Sequence, residues 1–99
     1  MNIKSVDPNK YHIAARGSIW LHQNLAWFAT EDDAVLGVVV LDKVDNDFSW
    51  VVMTENNQGP GFTAIDMGVS LPTEGAATQA LLNAMQHADR SHDQVSHHR

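Results

Sequence analysis

Residues Ala34 to Thr54, AVLGVVVLDKVDNDFSWVVMT, restrict the fold more than any other part of the chain. Two apolar runs rich in Val, Leu, Phe and Trp flank Val44-Asp45-Asn46-Asp47, where Asp and Asn supply turn chemistry. β-Branched and aromatic runs on either side of such a turn read as an antiparallel hairpin. With Val44 paired to Asp47 across the loop, Leu41 is expected opposite Trp50 and Val39 opposite Val52. The other face then carries Leu36, Val38 and Val40 beside Val51 and Met53. Both faces are apolar, which a sheet covered on one side alone does not require.

The rest of the chain is assembled around this hairpin. Asn56-Asn57-Gln58-Gly59-Pro60-Gly61 is a loop signal, with glycines suited to positive φ and a proline that cannot join a ladder. Phe62 to Leu71 alternates as a third strand, and Ile65, Met67, Val69 and Leu71 are expected under the helices. Thr73 then caps a helix that opens at Glu74 and buries a stripe of Ala77, Leu81, Ala84, Met85 and Ala88. Upstream, Ser18 is a good N-cap, and Leu21, Leu25 and Phe28 recur at helical spacing beside Trp20 and Trp27. These features predict a first helix from Ser18 to about Ala29, ended by the charged break Glu31-Asp32-Asp33.

The expected fold class is therefore α+β, in the order α-β-β-β-α: a three-stranded antiparallel meander with two helices packed on one face. Residues 1–16 read as an N-terminal arm, 17–88 as a single domain, and 89–99 as a disordered His-rich tail. At 99 residues the chain has the length of one domain with one modest core.

Charge narrows the function classes. The net charge of −6 conceals an asymmetry: between Gly17 and Ala88 the only fixed cation is Lys43. Against it stand Glu31, Asp32, Asp33, Asp42, Asp45, Asp47, Glu55, Asp66 and Glu74. So acidic a body repels phosphate backbones, and no direct nucleic-acid contact is expected. Cysteine is absent, which removes disulfides, thiolate metal sites and thiol nucleophiles. No apolar run reaches membrane-helix length and the N-terminus lacks a signal-peptide core, so a soluble cytoplasmic protein is the expectation.

No motif points to catalysis or to a cofactor. Asp42-x-x-Asp45-x-Asp47 resembles a calcium loop in spacing, but the glycine and distal glutamate of an EF-hand are missing, and a solvated turn explains it better. Gly59-Pro60-Gly61 precedes a strand rather than a helix N-terminus, so it is no phosphate loop. His92 with Asp89 and Asp93 has helical spacing for a weak metal site, though nothing rigid supports it. Ser18 and His22 lack a carboxylate in any local motif, and a surface helix accounts for them. The expectation is no enzyme, no metal and no cofactor.

The α-β-β-β-α order resembles the double-stranded RNA-binding domain. That family reads phosphates with lysines opening its last helix, whereas this helix opens Thr73-Glu74-Gly75-Ala76-Ala77-Thr78. The resemblance thus extends to topology and not to RNA binding. Asp42-Lys43-Val44-Asp45-Asn46-Asp47-Phe48-Ser49-Trp50 also resembles small uncharacterised proteins of bacterial mobile elements, which implies no activity.

Two functions fit these features. The first is a non-enzymatic protein–protein interaction module, homodimeric through an apolar sheet face made of Leu36, Val38, Val40, Val51, Met53 and Phe62. The alternative is an acidic inhibitor or nucleic-acid mimic that blocks a basic, nuclease-type partner through Glu31, Asp32, Asp33, Asp42, Asp45 and Asp47. They differ in salt response, because apolar association survives high salt and an acidic decoy does not.

Overall fold

A computed structural model describes residues 2–7, 22–56 and 61–97, with 89–97 as backbone only. The chain forms β1 (Ile3–Ser5), β2 (His22–Thr30), β3 (Val35–Asp42), β4 (Asp47–Glu55), β5 (Phe62–Leu71) and α1 (Glu74–His97). The strands make one five-stranded antiparallel sheet in sequence order, with α1 against one face. This replaces the expected α-β-β-β-α meander: a single helix is present among the described residues, and it follows the sheet.

The overturned element is the first helix. Residues 18–21 lie outside the described residues, and His22 to Ala29 are strand. Their apolar positions mimic helical spacing because β2 carries an irregularity between Asn24 and Ala26, where Leu25 is inserted against β3. An inserted residue breaks period-two alternation, and here it leaves Leu25 and Phe28 facing α1 while Trp27 faces away. The acidic break is the β2–β3 turn. Asp33 adopts φ 60° there, and the Asp32 carboxylate accepts from Ala34 N at 3.1 Å and from the Thr30 hydroxyl at 2.7 Å. Asp and Asn tolerate this left-handed conformation better than other residues with a side chain.

β1 belongs to the sheet rather than to a separate arm: Ile3 pairs with Thr30 and Ser5 with Phe28. The β3–β4 hairpin forms, but Val39 faces Trp50 and Leu41 faces Phe48, two residues from the expected register. Asp42 decides this. Its carboxylate accepts from Val44 N at 2.9 Å and Asp45 N at 3.3 Å, and Asn46 takes φ 54°, so the turn spans Lys43–Asn46. A slip of two leaves each side chain on its expected face.

α1 packs on Val35, Val39 and Val52 through Ala77, Leu81 and Met85, all essentially inaccessible, with Ala84 and Ala88 alongside. The expected stripe is thus the observed one. Thr73 caps the helix as expected, accepting from Ala76 N at 3.0 Å. The helix continues past Ala88 to His97, so residues 89–97 form its last turns instead of the expected disordered tail. No proline or glycine interrupts the chain after Gly75, which leaves no local breaker there. The expected facing of β5 does not hold. Two irregularities against β4 reverse its alternation, so Leu71 alone of the expected set packs towards α1, and Ile65, Met67 and Val69 are exposed.

Candidate interaction face

The face of the sheet turned away from α1 is the candidate site. Its floor is a buried cluster of Trp27, Ala29, Leu36, Val38, Val40 and Met53, with Val6, Val51 and Phe62 packed against it. Strand alternation places these side chains together: Trp27 pairs with Val38, Val38 with Val51, and Leu36 with Met53. All of the residues expected from sequence to form an interaction surface therefore meet in one cluster. Leu36 and Met53 are completely covered, however, so they are its floor and not its contact surface. Sequence reading missed Trp27, because it was assigned to a helix, and Met67 and Val69, because the bulges in β5 move them onto this face.

A cavity of about 300 Å³ opens on this face. Its walls are apolar, with Trp27, Val38, Val40, Val51 and Met53 on the inside and Ala64, Met67 and Val69 on the β5 side. Met67 and Val69 are 61% and 67% exposed, so the mouth lies along β5. The polar lining gathers at one end. His22 and Asn24 are two residues apart on β2, Asn24 pairs with Val40, and Val40 pairs with Ser49. The Nδ1 atom of His22 is buried and has no hydrogen-bond partner among the described residues. No carboxylate lines the cavity among those residues. Nor do any three His, Asp or Glu side chains there converge on a metal-sized site.

The acidic residues are not gathered. Glu31, Asp32 and Asp33 lie at the β2–β3 turn, and Asp42, Asp45 and Asp47 at the β3–β4 turn. The two groups sit at opposite ends of β3, roughly 23 Å apart at ~3.3 Å per residue. Asp32 and Asp42 hold their turns together, and Asp33 meets Lys4 at 3.5 Å.

Among the described residues β5 is a sheet edge, but a poor template for another strand. The extra residues in it fall at Ile65 and near Ser70, so little regular ladder lies between them. Bulges of this kind turn an edge away from pairing. The exposed apolar side chains therefore serve the face, not the edge.

No protein-family model, curated protein or solved structure matches the chain. No helix among the described residues is long and apolar enough to cross a membrane.

Proposed function

We propose that this chain is a non-enzymatic interaction module that binds another polypeptide, a second copy of itself included, through the sheet face opposite α1. The observation that carries this reading is the apolar cavity with an exposed rim of Met67 and Val69 over a buried floor. Exposed apolar side chains ringing a concave floor mark a binding surface more than a solvated one. The cavity offers His22 and Ser49 without a carboxylate to orient the imidazole, which favours binding over nucleophilic chemistry. The acidic-inhibitor reading has less support, since its residues are divided between two turns and partly engaged in holding them.

Sedimentation over the micromolar range tests the proposal. Wild type is expected to gain mass with concentration, or to hold a partner, equally well at low and high salt. Met67→Asp is expected to abolish this by burying an unpaired charge. Because Met67 is exposed, that variant keeps its thermal midpoint. A wild type that stays monomeric and binds nothing that Met67→Asp fails to bind overturns the reading.

A further inference from the structure

We propose that Met67 is an oxidation site, and that its conversion to the sulfoxide by a peroxide closes the outer sheet face to its polypeptide partner. The loss of binding rests on that face being the binding surface; the modification of Met67 does not.

Sulfur chemistry in this chain falls to methionine alone. Cysteine, whose thiolate would compete for an oxidant, is absent, and the methionines are Met1, Met53, Met67 and Met85. Met53 and Met85 are 1% and 0% exposed, the one in the floor of the cavity and the other between α1 and β3. Met67 is 61% exposed, and Met1 lies outside the described residues. Susceptibility follows access to the thioether, so the described sulfur that an oxidant reaches is that of Met67. With hydrogen peroxide the reaction is a two-electron transfer. A lone pair on Sδ attacks one peroxide oxygen, and the S–O bond forms as the O–O bond breaks. The proton of that oxygen passes to the other, which leaves as water.

The place of Met67 makes the added oxygen matter. In the free chain an exposed sulfoxide stays hydrated, so the fold loses nothing. In a complex through this face it is desolvated. Val51 lies opposite Met67 on β4, and Ala64 and Val69 share its wall of the cavity. None of these three side chains can donate a hydrogen bond to the sulfoxide oxygen. A strong acceptor buried among them without a partner is costly, whereas the reduced thioether is apolar and adapts to what it meets. The penalty falls on the bound state alone, so oxidation weakens binding without unfolding the chain. The two irregularities in β5 set this up, since they put Met67 at the cavity mouth while Met53 stays in the floor.

The test uses the full chain and hydrogen peroxide. Peptide mapping by mass spectrometry is expected to show sulfoxide forming at Met67 ~10-fold or more faster than at Met53 or Met85. The oxidised chain is expected to keep its thermal midpoint and to associate about tenfold or more weakly than the reduced chain in sedimentation. Methionine sulfoxide reductase with a thiol reductant is expected to restore the association. Met67→Leu is expected to associate as wild type does and to ignore peroxide, which separates the effect of Met67 from that of Met1. Met67→Gln, polar and of similar length, is expected to associate as weakly as the oxidised chain. Equal oxidation rates at Met67 and the two buried methionines overturn the site. Unchanged association with Met67 as the sulfoxide overturns the closing of the face and leaves the face standing as a binding surface. A reduced chain that neither self-associates nor holds a partner removes the binding reading and the closing of the face with it, while the mapping still decides the site.

Discussion

The indole of Trp50 lies across Gly68 on the neighbouring strand, so closely that a Cβ at residue 68 would overlap ring atoms Nε1, Cε2 and Cζ2. The ring is held on the α1 side of the sheet, and Gly68 is the place where it can lie flat. Gly68→Ala is therefore expected to push the indole off its seat at a cost of about 1–3 kcal/mol. For a chain of this size that lowers the melting midpoint by at least ~4 °C. In a Trp50→Ala background the same substitution is expected to be near neutral. Thermal melts of the four proteins in this cycle measure the coupling, and additive losses would refute the contact.

Gly37 plays the corresponding part for the helix. A Cβ there would stand 2.6 Å from both Leu81 Cδ1 and Met85 Sδ. α1 thus approaches β3 over a position without a side chain, and its own alanines let it come close. Gly37→Ala is expected to cost about 1–2 kcal/mol, less than a backbone clash because the methionine thioether can shift. Leu81→Ala alone is expected to cost about 2–5 kcal/mol, since it empties a completely buried site. Together the two should cost less than their sum, because the added methyl enters space the leucine vacated. Denaturant titrations of the single and double variants check this.

How far the sequence could be read depended on whether its period was intact. β3 and β4 were legible because unbroken β-branched runs bracket a turn, and the helical stripe from Ala77 to Ala88 was legible because period 3.6 is undisturbed there. β2 was not. Leu25, an extra residue, shifts its alternation and leaves Leu25 and Phe28 on one face at a spacing that a helix would also give. The site was half legible for the same reason. Leu36, Val38, Val40, Val51 and Met53 were placed on one face by alternation alone, and that survived the two-residue change of register. Met67 and Val69 were assigned to the other face, because bulges leave no signature in a pattern of apolar and polar residues.

The β2–β3 turn rests on Thr30, which is buried at 2% exposure. Its hydroxyl donates to the Asp32 carboxylate at 2.7 Å and accepts from Val35 N at 3.2 Å. Thr30→Val keeps the shape and leaves the Val35 N–H without this acceptor. A loss of about 1–3 kcal/mol is expected, the cost of a buried unsatisfied donor. Faster hydrogen exchange at Val35 and at Ala34 would localise the effect to the turn. A melt within a degree of wild type would show that the hydroxyl is dispensable.

Ser70 gives the sharpest test of the bulges that shape the candidate face. It adopts φ 62°, a left-handed conformation disfavoured for a residue with a Cβ, at the point where β5 inserts a residue against Phe48 and Trp50. The insertion turns Leu71 onto the α1 side while Met67 and Val69 stay on the cavity side. Glycine accepts this conformation without a steric penalty of roughly 1–2 kcal/mol, but it gives the unfolded chain more freedom, an opposing effect of about 0.4–1 kcal/mol. Ser70→Gly is therefore expected to stabilise by about 0.5 kcal/mol, the difference between those effects. Ser70→Val is expected to destabilise by more than about 1 kcal/mol, because β-branching at positive φ is strained further. The stability order Gly, Ser, Val reverses ordinary strand preference, in which valine ranks first and glycine last. Equilibrium unfolding of the three proteins decides between them: the strand-preference order would mean that residue 70 sits in a regular ladder, and would return Val69 to the α1 side.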